Sequence, residues 1–311
     1  MIFYLTVQHS PEISILFCQG EMISNDGIKI INMISLKKIM HIVTDIDGTL
    51  LNDNGELDFE SRKLLKEIMK LDVMVSLATG RSHSAVLELA KEISLNGYII
   101  SLDGSLIIKF SDDKILYESY LKKNQVKRAI SLAEENLVNI VLCHANAIYY
   151  TENNSVIPTL LSKYGASYKM VDTYKDYISG TLELVCSSDM KNSIKQIEEK
   201  FNFPYSIGCN TSYFRSKKNE NIFYLEIRKA GSSKGKAVAR ISKHLSFKSD
   251  QTAVIGDWYN DITMFQSKYI KVAVANAIPE LLKTADFVTA KSNKENGINE
   301  FFEMVLKSKR N

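Results

Sequence analysis

From residue 40 onward, short apolar runs alternate with longer amphipathic stretches along the chain. Residues 40–44 and 73–78 have the composition of short buried strands, and residues 59–71 between them carry leucine and isoleucine at helical spacing. A second helical stretch, residues 82–93, leads to a third apolar run at residues 98–101. This order predicts a parallel sheet with helical crossovers, and in such sheets ligands bind beyond the carboxyl ends of the strands.

The C-terminal part of the chain repeats this pattern. Residues 236–245 have helical spacing and are followed by an apolar run at residues 252–255, which ends in Gly-Asp. A helix at residues 261–267 and further strands at residues 271–274 and 286–289 come next. We expect these elements to belong to the same sheet as the first ones.

Residues 108–228 differ from both flanking parts because they are richer in Tyr, Ser and Asn. They contain hairpin-like alternation at residues 140–150 and helical spacing on either side of it. This segment has about 120 residues, which is close to the size of a domain, and a continuous sheet would not need so many residues there. We therefore predict an inserted α/β domain at residues 108–228 and a core domain formed by residues 39–107 and 229–311; more of the same sheet is the alternative.

The first 38 residues fit neither predicted domain. They contain the in-frame methionines Met22 and Met33 before the first convincing strand. We interpret residues 1–38 as an N-terminal extension of uncertain status. The alternatives are a strand pair that covers a sheet edge and a start codon assigned too early, in which case residues 1–32 are not part of the native protein.

Length and composition indicate a globular protein of two domains. The chain has 311 residues, 45% of them hydrophobic and 24% charged, with a formal net charge of +3. So small and interspersed a charge does not indicate a nucleic-acid or membrane-surface protein. No export signal and no apolar run of membrane-spanning length is visible, and the cysteines form no CxxC pair, so we expect a cytoplasmic protein; oligomeric state stays open.

Polar residues of complementary chemistry lie at strand ends or in loops of four separate segments. They are Asp45 and Asp47 in DIDGT, Thr79 in ATGR, Lys234 in GSSKGK, and Asp257, Asn260 and Asp261 in GDWYND. Two aspartates two positions apart after a strand are by themselves more often a turn than a catalytic pair. The agreement of all four segments, in this order, favours one shared site.

A carboxylate at the end of the first strand suits nucleophilic catalysis on phosphorus. Asp45 can form an aspartyl-phosphate, which divides one difficult displacement into two easier steps. Asp45, Asp257 and Asp261 at one sheet edge would repel one another and an incoming phosphate dianion. A hard divalent cation is therefore expected, and oxygen ligands suit Mg²⁺.

The remaining groups fit the other requirements of phosphoryl transfer. Asp47, two residues on in a turn, can protonate the leaving oxygen and later deprotonate the hydrolytic water. Thr79 offers a hydroxyl and Lys234 a cation to the equatorial phosphoryl oxygens, where transition-state charge gathers. For Lys234, the alternative is an ordinary solvated lysine at the start of a helix.

This ordered set of motifs resembles the haloacid dehalogenase (HAD) superfamily, and within it the Cof-type phosphatases with a C2-type cap. The resemblance covers about residues 36–307. The strings that carry it are DIDGTLL at 45–51, ATGR at 78–81, LEIRKAGSSKG at 225–235, VIGDWYNDITMF at 254–265, VAVANAIPELLKTADFVT at 272–289 and ENGI at 295–298. It implies a Rossmann-like parallel-sheet core with an inserted α/β cap domain.

The resemblance also implies roles for these residues. Asp45 and Asp257 would be direct Mg²⁺ ligands together with the backbone carbonyl of Asp47, while Asn260 and Asp261 would orient ligands or hold water. The implied activity is Mg²⁺-dependent hydrolysis of small phosphomonoesters, with sugar phosphates the default substrates and the insertion acting as a lid. Phosphoryl transfer to an alcohol, as in phosphomutases, and a non-catalytic phosphate sensor are the alternatives.

One departure from the family pattern concerns substrate contacts. The branch usually has Asn-Gly-Ala after the third strand, whereas this chain has Asp103-Gly104-Ser105. We name Gly80, Arg81, Asp103 and Gly104 as candidate substrate-binding residues. Arg81 could equally cap the sheet edge.

Overall fold

A computed structural model describes residues 15–18, 21–24, 36–160, 166–202, 207–216 and 219–310. The described residues form two compact units. The first takes its residues from Met1–Ala78, Lys91–Tyr98 and Val238–Asn311, and the second from Thr79–Ala90 and Ile99–Ala237. Most of the predicted extension, residues 1–38, lies outside the described residues, apart from a short antiparallel strand pair within it.

The elements are numbered in chain order. The strands are β1 (Ile15–Cys18), β2 (Glu21–Ser24), β3 (His41–Asp45), β4 (Met74–Ala78), β5 (Tyr98–Ser101), β6 (Leu106–Lys109), β7 (Lys114–Glu118), β8 (Asn139–Cys143), β9 (Ile148–Tyr150), β10 (Tyr168–Met170), β11 (Glu183–Ser188), β12 (Cys209–Arg215), β13 (Phe223–Lys229), β14 (Thr252–Gly256), β15 (Ile270–Ala273) and β16 (Phe287–Val288). The helices are α1 (Phe59–Met69), α2 (Leu87–Ile93), α3 (Lys123–Glu135), α4 (Ile157–Leu160), α5 (Lys191–Phe201), α6 (Lys234–Leu245), α7 (Ile262–Phe265), α8 (Pro279–Thr284) and α9 (Ile298–Arg310).

The first unit is built on a parallel sheet. Its strands lie in the order β16, β15, β14, β3, β4, and each neighbouring pair is parallel. Every residue of β3 and β14 is buried, which explains why these strands are continuous apolar runs in the sequence. The prediction of an α/β fold with a parallel-sheet core is confirmed.

The second unit contains a mixed sheet in the order β10, β9, β8, β11, β13, β12. Alternate residues of a strand point to opposite faces, so Leu184 and Val185 belong to different cores. Leu184 packs with the helical residues Val126 and Ile194, whereas Val185 packs with Leu102 from the segment after β5. The inserted domain at residues 108–228 stays a prediction.

No helix among the described residues is long and apolar enough to cross a membrane.

Candidate active site

Asp45 and Asp257 lie at the carboxyl ends of neighbouring parallel strands. Asp45 is the last residue of β3, and Asp257 directly follows β14. The two strands pair in register, with Ile255 opposite Thr44, so the chain turns away from the sheet at the same level in both. Both side chains are nearly inaccessible: Asp45 is 5% and Asp257 2% exposed.

A third carboxylate completes a buried acidic cluster, which we define as Asp45, Asp257 and Asp261. Ligand oxygens of the three residues all lie within 4.8 Å of one another. Like charges so close together in a poorly solvated place repel each other strongly. The cluster therefore favours a bound cation.

Hydrogen bonds fix two members of this acidic cluster. The hydroxyl of Thr49 donates to Asp257 Oδ1 over 2.8 Å. Asp261 Oδ2 accepts the backbone N–H groups of Asp257 and Trp258 at 2.9 and 3.0 Å. Asp261 thus holds the turn that carries Asp257, in addition to offering a carboxylate to the cluster.

Gly48 leaves room for the Asp257 carboxylate. Its φ of +86° lies in the left-handed region, and a Cβ added there would be only 2.5 Å from Asp257 Oδ2. Asn276 Nδ2 donates to the Gly48 carbonyl over 2.8 Å and fixes this turn from outside. The sequence motif contains Gly48 and Thr49, but sequence reasoning did not identify either as a site residue.

The residues present fit a hard divalent cation. The side-chain atoms of the acidic cluster that could bind a metal are all carboxylate oxygens, which Mg²⁺ prefers over softer ligands. The close approach of Gly48 keeps the Asp257 carboxylate in a fixed place. Asp47 is exposed, and its carboxylate is not part of the acidic cluster; Asn260 is half-buried.

Thr79 begins the second unit, directly after β4 in the chain. It is 1% exposed, and its hydroxyl accepts the backbone N–H of Arg81 over 3.0 Å. Lys234, the first residue of α6, is 0% exposed. The interpretation of Lys234 as a solvated lysine is therefore wrong, because its side chain has no access to solvent. A buried lysine needs interactions with neighbouring groups to offset the loss of hydration.

The connection after β5 adopts an unusual backbone conformation. Leu102, Asp103 and Gly104 have φ values of +47°, +47° and +92°. Asp103 N–H donates to the Thr79 carbonyl and Leu102 N–H to the Arg81 carbonyl, each over 3.0 Å. Among the candidate substrate-binding residues, the structure thus brings Gly80, Arg81, Asp103 and Gly104 together in one unit.

Asp103 forms part of a buried ion cluster that sequence reasoning missed. Arg228 Nη1 lies 2.9 Å from Asp103 Oδ2, 2.8 Å from Glu183 Oε2 and 2.9 Å from Glu226 Oε2. Arg228 Nη2 donates to the hydroxyl of Ser212 over 2.6 Å. We call Arg228, Asp103, Glu183 and Glu226 the Arg228 cluster.

Burial changes the acid–base properties of this cluster. It raises the pKa of Glu183 well above the usual carboxyl value, and the negative charge of Glu226 raises it further, against the opposing effect of Arg228. Burial raises the pKa of Glu226 as well. For Arg228, burial favours the neutral form, but the charges of Asp103, Glu226 and Glu183 outweigh it and raise its pKa. The surrounding carboxylates therefore favour the charged form of Arg228, and burial favours the protonated form of Glu183.

Comparison with known proteins agrees with the family that the motifs resemble. A family model described as haloacid dehalogenase-like hydrolase matches residues 42–302. In Bacillus subtilis (strain 168), phosphatase YwpJ is 24% identical over 288 residues, which cover 85% of this chain and 99% of the relative. The 5-amino-6-(5-phospho-D-ribitylamino)uracil phosphatase YwtE of the same organism is 25% identical over 287 residues, or 85% of this chain and 97% of that protein.

The fold is also found among solved structures. The crystal structure of a haloacid dehalogenase-like hydrolase from Bacteroides thetaiotaomicron superimposes with a TM-score of 0.77 at 23% identity. It covers 86% of this chain and 99% of the other. At this identity the similarity establishes the fold alone.

Proposed function

Because the chain belongs to the haloacid dehalogenase-like hydrolase family, we propose that it is a Mg²⁺-dependent phosphatase that hydrolyses small phosphomonoesters through an aspartyl-phosphate on Asp45. The observation that carries this proposal is the buried acidic cluster at the carboxyl ends of β3 and β14. This chain matches two relatives over most of their length, and both are named as phosphatases, which supports the activity.

In the first step, a carboxylate oxygen of Asp45 attacks phosphorus, and the bond from phosphorus to the ester oxygen breaks. Asp47 gives its proton to that departing oxygen. In the second step, Asp47 takes a proton from water, whose oxygen attacks the aspartyl-phosphate and releases inorganic phosphate with Asp45 restored. Asp47 suits both transfers because its side chain is exposed and lies outside the buried acidic cluster.

Asp45, Asp257 and the backbone carbonyl of Asp47 would hold the metal, with Asp261 and Asn260 orienting ligands or water. When bound, Mg²⁺ supplies positive charge that offsets the carboxylates and the phosphoryl oxygens. Gly48 and Thr49 keep the Asp257 carboxylate in place for this task.

Thr79 and Lys234 bind the phosphoryl oxygens in this proposal. The burial of Lys234 supports the assignment, because a cation removed from solvent interacts strongly with an anion that reaches it. Thr79 is held by the backbone of Arg81 and Asp103, which suits a positioned hydroxyl.

The proposed substrates are small phosphate esters such as sugar phosphates, with residues 108–228 acting as a lid over the leaving group. The ribityl phosphate ester named for the relative YwtE belongs to this chemical class.

We propose that the reaction takes place in the cytoplasm. Cys143 and Cys186 are two buried thiols without a disulfide bond, which agrees with a reducing compartment.

The test is turnover of 4-nitrophenyl phosphate with Mg²⁺ by the wild type and by Asp45→Asn. The variant is expected to lose on the order of 10³-fold or more, because it lacks the nucleophile. Asp53→Asn is the matched control, since Asp53 lies in the same segment but is exposed and pairs with Lys294. Release of inorganic phosphate without an added alcohol acceptor identifies hydrolysis; equal activity of Asp45→Asn and wild type refutes the nucleophile assignment.

A further inference from the structure

The segments that carry Thr79 and Lys234 both contact the connection after β5. Asp103 N–H binds the Thr79 carbonyl, and the Asp103 carboxylate lies against Gly80, where an added Cβ would be 3.5 Å from Oδ1. On its other side, Gly104 packs against the carbonyl of Ser233, the residue before Lys234. A Cβ on Gly104 would be 2.4 Å from that oxygen. Residues 102–104 therefore touch both proposed phosphate-binding segments.

This connection requires external support. Three consecutive positive φ values, two of them at residues other than glycine, are unfavourable for the isolated backbone and persist only where surrounding groups hold them. The backbone hydrogen bonds to Thr79 and Arg81 tie the connection to a segment that is itself a loop. A contact to a regular element is needed to fix both.

Arg228 supplies that contact. It lies on β13, where Glu183 of β11 is its direct partner in register, and Glu226 is on the same face two residues earlier. Three of its four polar partners, Glu183, Glu226 and Ser212, thus come from the mixed sheet, and the fourth is Asp103. Arg228 as a whole is 5% exposed, so few water molecules compete for these bonds.

A small cavity lies next to the same segments. Gly80 and Ser82, on either side of Arg81, line this cavity together with Glu183 and Glu226. Because Arg228 pairs with both glutamates, it anchors the connection and also offsets negative charge on residues that line this cavity.

We propose that Arg228 is a positioning residue for phosphate binding: through Asp103 it fixes residues 102–104, which hold the Thr79 and Lys234 segments in place. This inference rests on the proposed function, because it takes Thr79 and Lys234 as the groups that bind phosphate. The bond to Asp103 carries the effect, and the bond to Ser212 does not.

The experiment measures the affinity for inorganic phosphate by calorimetry in the presence of Mg²⁺, together with turnover of 4-nitrophenyl phosphate. Arg228→Met and Asp103→Ala are expected to bind phosphate at least tenfold more weakly and to turn over on the order of 10²-fold more slowly. Asp103→Asn keeps an oxygen that accepts from Arg228 and is expected to stay within about threefold of wild type.

Two controls separate positioning from general stability. Arg215→Met removes an exposed arginine from β12 of the same sheet, and Ser212→Ala removes a bond of Arg228 that does not reach Asp103. Both are expected to bind phosphate like the wild type. The double variant Arg228→Met with Asp103→Ala is expected to be no weaker than either single variant, because the two residues act through one link.

Wild-type phosphate affinity in folded Arg228→Met overturns the inference, as does a double variant whose losses add. If Arg228→Met does not fold, Asp103→Ala against Asp103→Asn decides the same point. Failure of the proposed function is distinguishable: it leaves the Arg228 effect on phosphate affinity in place while no ester is hydrolysed by the wild type.

Discussion

Gly48→Ala tests the claim that a glycine keeps the Asp257 carboxylate in its place. The substitution has two costs that can be separated. A left-handed conformation costs an L-residue about 1–2 kcal/mol in folding stability. In addition, the new Cβ would lie 2.5 Å from Asp257 Oδ2, so the carboxylate must retreat by about 1 Å to reach ordinary van der Waals contact. A displacement of about 1 Å at a reacting centre lowers turnover on the order of 10²-fold.

Gly55→Ala is the matched control. Gly55 lies in the same segment with a similar φ of +79°, but an added Cβ there meets nothing within 4 Å. Gly55→Ala is expected to lose about 1–2 kcal/mol of unfolding free energy in urea denaturation, the left-handed cost alone. Gly48→Ala is expected to lose at least as much, because its Cβ also meets Asp257. Only Gly48→Ala is expected to need more Mg²⁺ for half-maximal turnover of 4-nitrophenyl phosphate and to turn over slowly. Equal turnover by the two variants would show that Gly48 is not needed to keep the Asp257 carboxylate in place.

Three further predictions concern stability. Burial lowers the pKa of His41 from 6.5 in the unfolded chain to about 3. The free energy of unfolding therefore falls as pH drops below 6.5, by about 2 kcal/mol between pH 7 and pH 5. His41→Gln is expected to abolish this pH dependence in urea titrations. Asp58→Ala is expected to cost about 1 kcal/mol, because the Asp58 carboxylate caps α1 by accepting from Glu60 N–H at 2.9 Å; an unchanged melting temperature contradicts this. Burial raises the pKa of Glu183 above its unfolded value of 4.5, so its contribution to stability is present below that pH and is lost as pH rises through the folded-state pKa. The stability of Glu183→Gln relative to wild type is therefore expected to increase as pH rises above 4.5 in the same urea titrations. A difference that stays constant with pH counts against this prediction.

The parts of the fold that follow from local pattern were predictable. Strands β3 and β14 are buried on both faces, so their sequences HIVTD and TAVIG are apolar runs that end where the chain leaves the sheet. Because parallel strands bring their carboxyl ends to one edge, the proximity of Asp45 and Asp257 followed from the strand assignment alone.

The parts that depend on long-range register were not predictable. Arg228 meets Asp103 across 125 positions of the sequence, and nothing around either residue indicates the other. The pairing of Arg228 with Glu183 depends on the register of β11 and β13, which periodicity does not determine between strands. The need for a glycine at residue 48 likewise arises from a side chain that approaches from another strand.

In the proposed mechanism, Asp45 becomes phosphorylated during turnover. The direct measurement is rapid acid quenching of the enzyme during hydrolysis of 4-nitrophenyl phosphate, followed by peptide mass spectrometry. Asp47→Asn is the variant of choice, because a nitrophenolate leaves without an acid while the second step loses its base, so the intermediate accumulates. We expect a phosphoryl group on Asp45 in this variant and none when Asp45→Asn is added. A phosphoryl group on another residue, or turnover by the Asp45→Asn protein at the wild-type rate, would exclude Asp45 as the nucleophile.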